Sequence, residues 1–153
     1  MDLGDRAPDF DLPTDGGANA RLADLKGRKV VVYFYPRDDT PGCTTEAIDF
    51  TALKADFAAA DTVVIGVSKD TVAAHAKFRA KHGLGVELAA DPDGTVIGAY
   101  GAWVEKSMYG KKYMGINRAT VLIDRDGKVA AHWRKVKVPG HAAAVLAAAR
   151  ELG

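Results

Sequence analysis

The sequence predicts an α/β domain in which helices cover both faces of a mixed central β-sheet. Three features carry that prediction. Residues 29–35 and 63–67 are short, continuous runs of β-branched and aromatic residues, the pattern of strands buried on both faces. Between them Ala47, Phe50, Leu53 and Phe57 recur at helical spacing, so the three segments form a βαβ unit and a parallel strand pair. Further on, residues 118–124 and 128–136 are strand-like runs joined by the tight turn Asp126-Gly127, which predicts an antiparallel pair.

Each element has a local cause. Residues 1–28 are loop-like, punctuated by Pro8, Pro13 and Asp15-Gly16-Gly17; Phe10 and Leu12 alternate with acidic residues, as in a short edge strand. The run 29–35 is too short for a core helix, and Pro36 ends it. After the polar Arg37-Asp38-Asp39, the stretch Thr40-Pro41-Gly42-Cys43 reads as a helix start. Thr40 is the N-cap, extended as residues before proline prefer, Pro41 is the first helical residue, and Cys43 lies in the first turn. This helix is expected to run to about residue 60. Residues 71–82 form a second helix closed by Gly83, residues 87–90 a short strand, and Val145, Ala148, Ala149 and Leu152 share one face of a last helix. The order predicts a single domain over residues 1–153, of thioredoxin-like outline.

Composition narrows the function. The 153 residues are 48% hydrophobic, enough for one core, and no repeat or linker divides the chain. The net charge of +1 argues against a nucleic acid or anionic membrane held by bulk charge. No apolar run reaches the ~20 residues that span a bilayer. Residues 1–10, with acidic Asp2 and no apolar core, do not read as a secretory signal, so a cytoplasmic location is expected. One cysteine, Cys43, leaves neither an internal disulfide nor a multi-thiolate metal site, and its thiol is expected to be reduced at rest.

The chemistry converges on that cysteine. It lies where a central parallel strand hands over to a helix N-terminus, at the edge where open α/β sheets form their ligand crevice. Unpaired N–H groups and the positive end of the helix dipole favour a thiolate there, and the thiolate is the nucleophile. The plain alternative is a small buried core residue. Thr40, three residues earlier, can cap a backbone N–H or offer its hydroxyl to a polar ligand near sulfur. Arg118 opens the apolar run Ala119-Thr120-Val121-Leu122-Ile123. A guanidinium there either reaches solvent or, if its strand lies beside the first one, approaches Cys43 and stabilises its anion.

The residues from Tyr33 to Ala47 resemble the active-site segment of the peroxiredoxins. The pattern Pro, three residues, Thr or Ser, two residues, Cys falls on Pro36, Thr40 and Cys43. The likeness is strongest to the bacterioferritin comigratory, or Q-type, subgroup. It extends to Gly4–Phe10, to Tyr109–Gly115 followed by Arg118-Ala119-Thr120, and to Lys135–His141, four separated segments in order. The resemblance implies a thiol peroxidase acting on hydrogen peroxide and alkyl hydroperoxides. By motif position, Cys43 is the peroxidatic nucleophile, which becomes a sulfenic acid. Thr40 hydrogen-bonds the peroxide, Pro36 shields the thiolate, Arg118 stabilises thiolate and peroxide, and Glu46 holds an arginine, unless it is merely a charge on an exposed helix face. No metal, flavin, haem or other cofactor is implied, and a monomer is expected. Many members carry a resolving cysteine five residues after the first; here that position is Ile48, and the next helix has no thiol either. The implied cycle therefore uses one cysteine and an external thiol: thioredoxin, glutaredoxin or a low-molecular-weight thiol. A redox sensor that passes oxidation from Cys43 to a partner is the alternative.

Other polar residues have plainer readings. His75 and His82, seven apart, suggest a solvated helix face more than a metal pair, and His141 a structural residue at a helix start. Asp38 and Asp39 fit a polar loop. Trp103, Met108, Tyr109, Tyr113 and Met114 suggest loop packing, a pocket wall or a partner surface.

Overall fold

The computed structural model describes all 153 residues. The chain runs β1 (Asp11–Pro13), β2 (Asn19–Arg21), β3 (Lys29–Phe34), α1 (Pro41–Ala52), α2 (Lys54–Ala59), β4 (Thr62–Ser68), α3 (Val72–His82), β5 (Glu87–Ala90), α4 (Thr95–Ala99), β6 (Trp103–Met108), β7 (Lys111–Ile116), β8 (Ala119–Ile123), β9 (Val129–Trp133) and α5 (His141–Leu152). Five strands form the central sheet in the order β5-β4-β3-β8-β9. Strands β3, β4 and β5 are parallel; β8 runs antiparallel to β3, and β9 antiparallel to β8. This is the mixed, helix-covered sheet that the sequence predicts.

Strand β3 is buried along its whole length because both its faces meet helices. Val30, Val32 and Phe34 enter one core with Phe10, Ile65, Ile97, Tyr100 and Val121. Val31, Tyr33 and the following Tyr35 enter the other, with Phe50, Phe57, Phe78, Leu122 and Val145. Alternation along a pleated strand divides the run this way. Tyr33 stands opposite Gly66 of β4, and its ring stacks on Phe50 of α1 with centroids 4.7 Å apart. A Cβ at Gly66 would lie 2.6 Å from the Tyr33 ring, so glycine is what lets the ring pass over β4.

Some expectations need correction. The helix expected to reach residue 60 is two helices, because Leu53 leaves helical geometry (φ −99°, ψ 8°) and its N–H bonds back only three residues, to the Phe50 carbonyl. Strand β9 stops at Trp133, and the ladder it makes with β8 shifts register between Leu122 and Ile123. The segment around residues 103–116, expected as loop packing, is a β-hairpin. Its two-residue turn, Tyr109-Gly110, has positive φ at both positions (53° and 77°), the geometry that suits a tight hairpin. Tyrosine is an uncommon first residue for that turn, which hid it. Helix α4, which the sequence pattern does not predict, has only five residues.

Candidate active site

Cys43 lies in the first turn of α1, just past the carboxyl end of β3, and is 1% exposed. Thr40 is the N-cap in extended geometry (φ −91°, ψ 154°), with Pro41 first in the helix. The first helical bond runs from Thr44 N–H to the Thr40 carbonyl at 2.8 Å, so the N–H groups of Gly42 and Cys43 precede it at the positive end of the helix. The Thr40 hydroxyl does not cap these groups. It donates to the Arg37 carbonyl at 2.9 Å, and the residue is half-buried. Pro36 is exposed, one residue past Tyr35.

Sheet topology delivers the arginine. In the β3–β8 ladder Ala119 stands opposite Phe34, so Arg118 emerges beside the end of β3 that leads to Cys43. Its Nη2 donates to Cys43 Sγ at 3.3 Å and its Nη1 to Glu46 Oε1 at 2.7 Å. Glu46, one turn beyond Cys43, is therefore no surface charge: it is 1% exposed, and its Oε2 has no protein partner. Burial lifts its carboxyl to about 7, against the opposing pull of Arg118. Burial also works against the Arg118 charge, but Glu46 and Cys43 outweigh it and hold the guanidinium above its ordinary value. The structure thus brings together Cys43, Arg118 and Glu46, with Thr40 three residues ahead in the same chain turn. Arg118 thus gives the Cys43 sulfur a hydrogen bond from a charged donor.

Sequence reasoning missed several neighbours. A Cβ at Gly42 would lie 3.1 Å from Arg118 Nη2, so this glycine makes room for the guanidinium. Lys106 of β6 is held below its ordinary value by burial and then by Arg118, while Cys43 pulls the other way, which places it within the field of the site. His141 is buried at the start of α5, its Nε2 2.8 Å from Thr120 Oγ1. Burial and then Arg118 depress it to about 4, so it stays neutral beside the site at pH 7.

The expectation of a solvated face fails for His75, while His82 is half-buried at the surface. His75 is fully buried with Nδ1 2.7 Å from Asp38 Oδ2, and His82 Nε2 lies 2.8 Å from Asp39 Oδ1. Helix α3 packs against the 38–39 loop, so each histidine meets its own aspartate. The hairpin residues Trp103, Met108, Tyr109, Tyr113 and Met114 all face solvent. Ile48, five residues after Cys43, is 43% exposed.

The chain is similar to known proteins along most of its length. The AhpC/TSA family model matches residues 3–132. A Bcp relative from Coxiella burnetii is 51% identical over 95% of this chain and 97% of its own. Peroxiredoxin Bcp of Bacillus subtilis is 45% identical over 99% of this chain and 97% of its own. The solved Xanthomonas campestris bacterioferritin comigratory protein, described for its alkyl peroxide reduction activity, superposes with a TM-score of 0.89 at 45% identity, covering 93% of this chain and 90% of that one. This chain belongs to the AhpC/TSA family, among its Bcp (Q-type) peroxiredoxins, and is a thiol peroxidase with a single cysteine.

Proposed function

We propose that Cys43 is the peroxidatic nucleophile and that hydrogen peroxide and small alkyl hydroperoxides are its substrates. The observation that carries this is the Arg118 contact on Sγ at 3.3 Å, braced by Glu46, at a helix N-terminus. The thiolate attacks the distal peroxide oxygen. An S–O bond forms, the O–O bond breaks, and the departing hydroxide or alkoxide takes up a proton and leaves as water or alcohol. Arg118 and the first-turn N–H groups steady the charge as it moves across the oxygens. The Thr40 hydroxyl orients the peroxide, and Pro36 shields the sulfur. Glu46 aims Arg118.

The cycle closes through an external thiol. With one cysteine, the Cys43 sulfenic acid is attacked by thioredoxin, glutaredoxin or a low-molecular-weight thiol, releasing water and forming a mixed disulfide that a second thiol reduces. A single-domain, monomeric, cytoplasmic antioxidant is the reading that fits this chemistry. The absence of a helix long and apolar enough to cross a membrane is compatible with it.

Intact mass after one equivalent of hydrogen peroxide, with and without a sulfenic-acid trap, tests the proposal in wild type and Cys43→Ser. Rapid stoichiometric trapping in wild type alone is expected. Oxidation no faster than that of a free thiol overturns the assignment. Fast oxidation without turnover by any supplied thiol favours the sensor.

A further inference from the structure

The loop between β3 and α1 carries Thr40 and leads the chain into Cys43. A buried polar network that the peroxide chemistry does not use holds it down. At its centre is His75 of α3, fully buried. Its Nε2 lies 3.0 Å from the Ala89 carbonyl of β5, which only accepts, so Nε2 carries a proton and donates. Its Nδ1 lies 2.7 Å from Asp38 Oδ2, and the Asp38 side chain is 6% exposed. The other Asp38 oxygen accepts from the Tyr35 hydroxyl at 2.6 Å. The Asp38 N–H donates to Asp70 Oδ2 at 2.9 Å, and that oxygen also accepts the Ser68 hydroxyl at 2.6 Å. Asp39 follows at a left-handed φ of 61°, its carboxylate 2.7 Å from Lys81 Nζ and 2.8 Å from His82 Nε2. The backbone at Asp38 and Asp39 sets the point in space at which Thr40 begins the helix.

We propose that His75 is a positioning residue for peroxide reduction: by joining Asp38 to the Ala89 carbonyl of β5, it fixes the 36–40 loop so that Thr40 and the first turn of α1 meet the Cys43 sulfur and the incoming peroxide in register. A side chain present only to fill space needs no bond at both ring nitrogens; this imidazole makes one at each, in two directions, and is itself fully buried. The Asp39 contacts are exposed and screened, and such pairs contribute little. The bonds at Asp38, to His75, the Tyr35 hydroxyl and the Asp70 carboxylate, therefore hold the loop, and the His75 bond is the one that ties it to β5. Misplacing a reacting group by about 1 Å costs on the order of 10²-fold in rate, so a clamp outside the site governs the chemistry within it.

This inference rests on Cys43 being the peroxidatic residue, and one experiment separates the two. Rapid-quench intact mass gives the rate of Cys43 oxidation by hydrogen peroxide, and iodoacetamide gives the rate of a reaction that needs no oriented donors. Both are measured in wild type, His75→Gln, Asp38→Asn, the double variant and Phe78→Leu, a buried apolar change one turn along α3, with each protein at least as folded as wild type by circular dichroism at the assay temperature. Each polar single variant is expected to slow peroxide by about tenfold or more. The double variant should be no slower than the worse single one, because His75 acts through Asp38. The ratio of peroxide rate to alkylation rate should fall in all three, while Phe78→Leu stays within about twofold of wild type. Effects that multiply in the double variant, an equal loss in Phe78→Leu, or a His75→Gln rate like wild type would each overturn the assignment. A wild-type rate no faster than a free thiol would overturn the peroxidase reading with it, and only that outcome does so.

Discussion

Glu46 stands one turn beyond Cys43 with its carboxyl buried and one oxygen unpartnered. Burial raises it from the ordinary 4.5 to about 7, although Arg118 lowers it. Between those values the folded protein holds a proton that the unfolded chain has released. The stability from the neutral carboxyl is therefore fully present below about pH 4.5 and is lost as pH rises towards about 7. The loss is on the order of 3 kcal/mol once pH is above about 7. Urea midpoints for wild type and Glu46→Gln should consequently diverge between about pH 5 and about pH 7.5, wild type losing ground. A wild-type midpoint that gains on the variant over that interval contradicts the assignment. Gly42 gives a second residue-scale prediction. Gly42→Ala favours the helix by up to about 1 kcal/mol but crowds Arg118 Nη2. Unfolding is expected at equal or higher denaturant, with Cys43 oxidation slowed by about tenfold, the equivalent of ~1.4 kcal/mol. Equal rates in the two proteins would show that the guanidinium accommodates a methyl group. The placement of Thr40 and Cys43 at a helix start, and of Arg118 at the mouth of an apolar strand, was legible at this scale, because both are local patterns. The role of His75 was not. A spacing of seven puts two histidines on one helix face but does not say what that face covers.

Strand β3 and helix α1 form one mechanical unit through Tyr33, which passes over Gly66 and stacks on Phe50. A methyl at Gly66 has no room against a fully buried ring, so Gly66→Ala is expected to lower stability by about 1–3 kcal/mol in denaturant unfolding. Because Phe50 lies on the helix that carries Cys43, the same variant should also show a faster rate of Cys43 alkylation. A neutral substitution would mean that the ring has an alternative seat. The buried runs of β3, β4 and β8 were readable because continuous β-branched stretches have few other solutions. The β6–β7 hairpin was not, since its strands are polar and exposed and its Tyr109-Gly110 turn is an unusual pairing. The break at Leu53 left no Pro or Gly to announce it.

The whole molecule has two cores, one on each face of a single sheet, and β3 supplies alternate residues to both. Neither core can open while the other keeps β3 in place, so one cooperative transition is expected. Near-ultraviolet and far-ultraviolet circular dichroism should give coincident urea curves. Two resolved steps would show that the faces unfold separately and would count against a single domain. The sequence by itself determined the βαβ unit, the position of Cys43 at a helix start and its lack of a thiol partner, because local pattern and composition are enough for these. Only the tertiary structure decided that Arg118 reaches the sulfur, that Glu46 is buried behind it, and that His75 clasps the loop. Those contacts span 75, 72 and 37 residues of chain. They depend on which strand lies beside β3 and which helix face lies under the loop, and packing settles both.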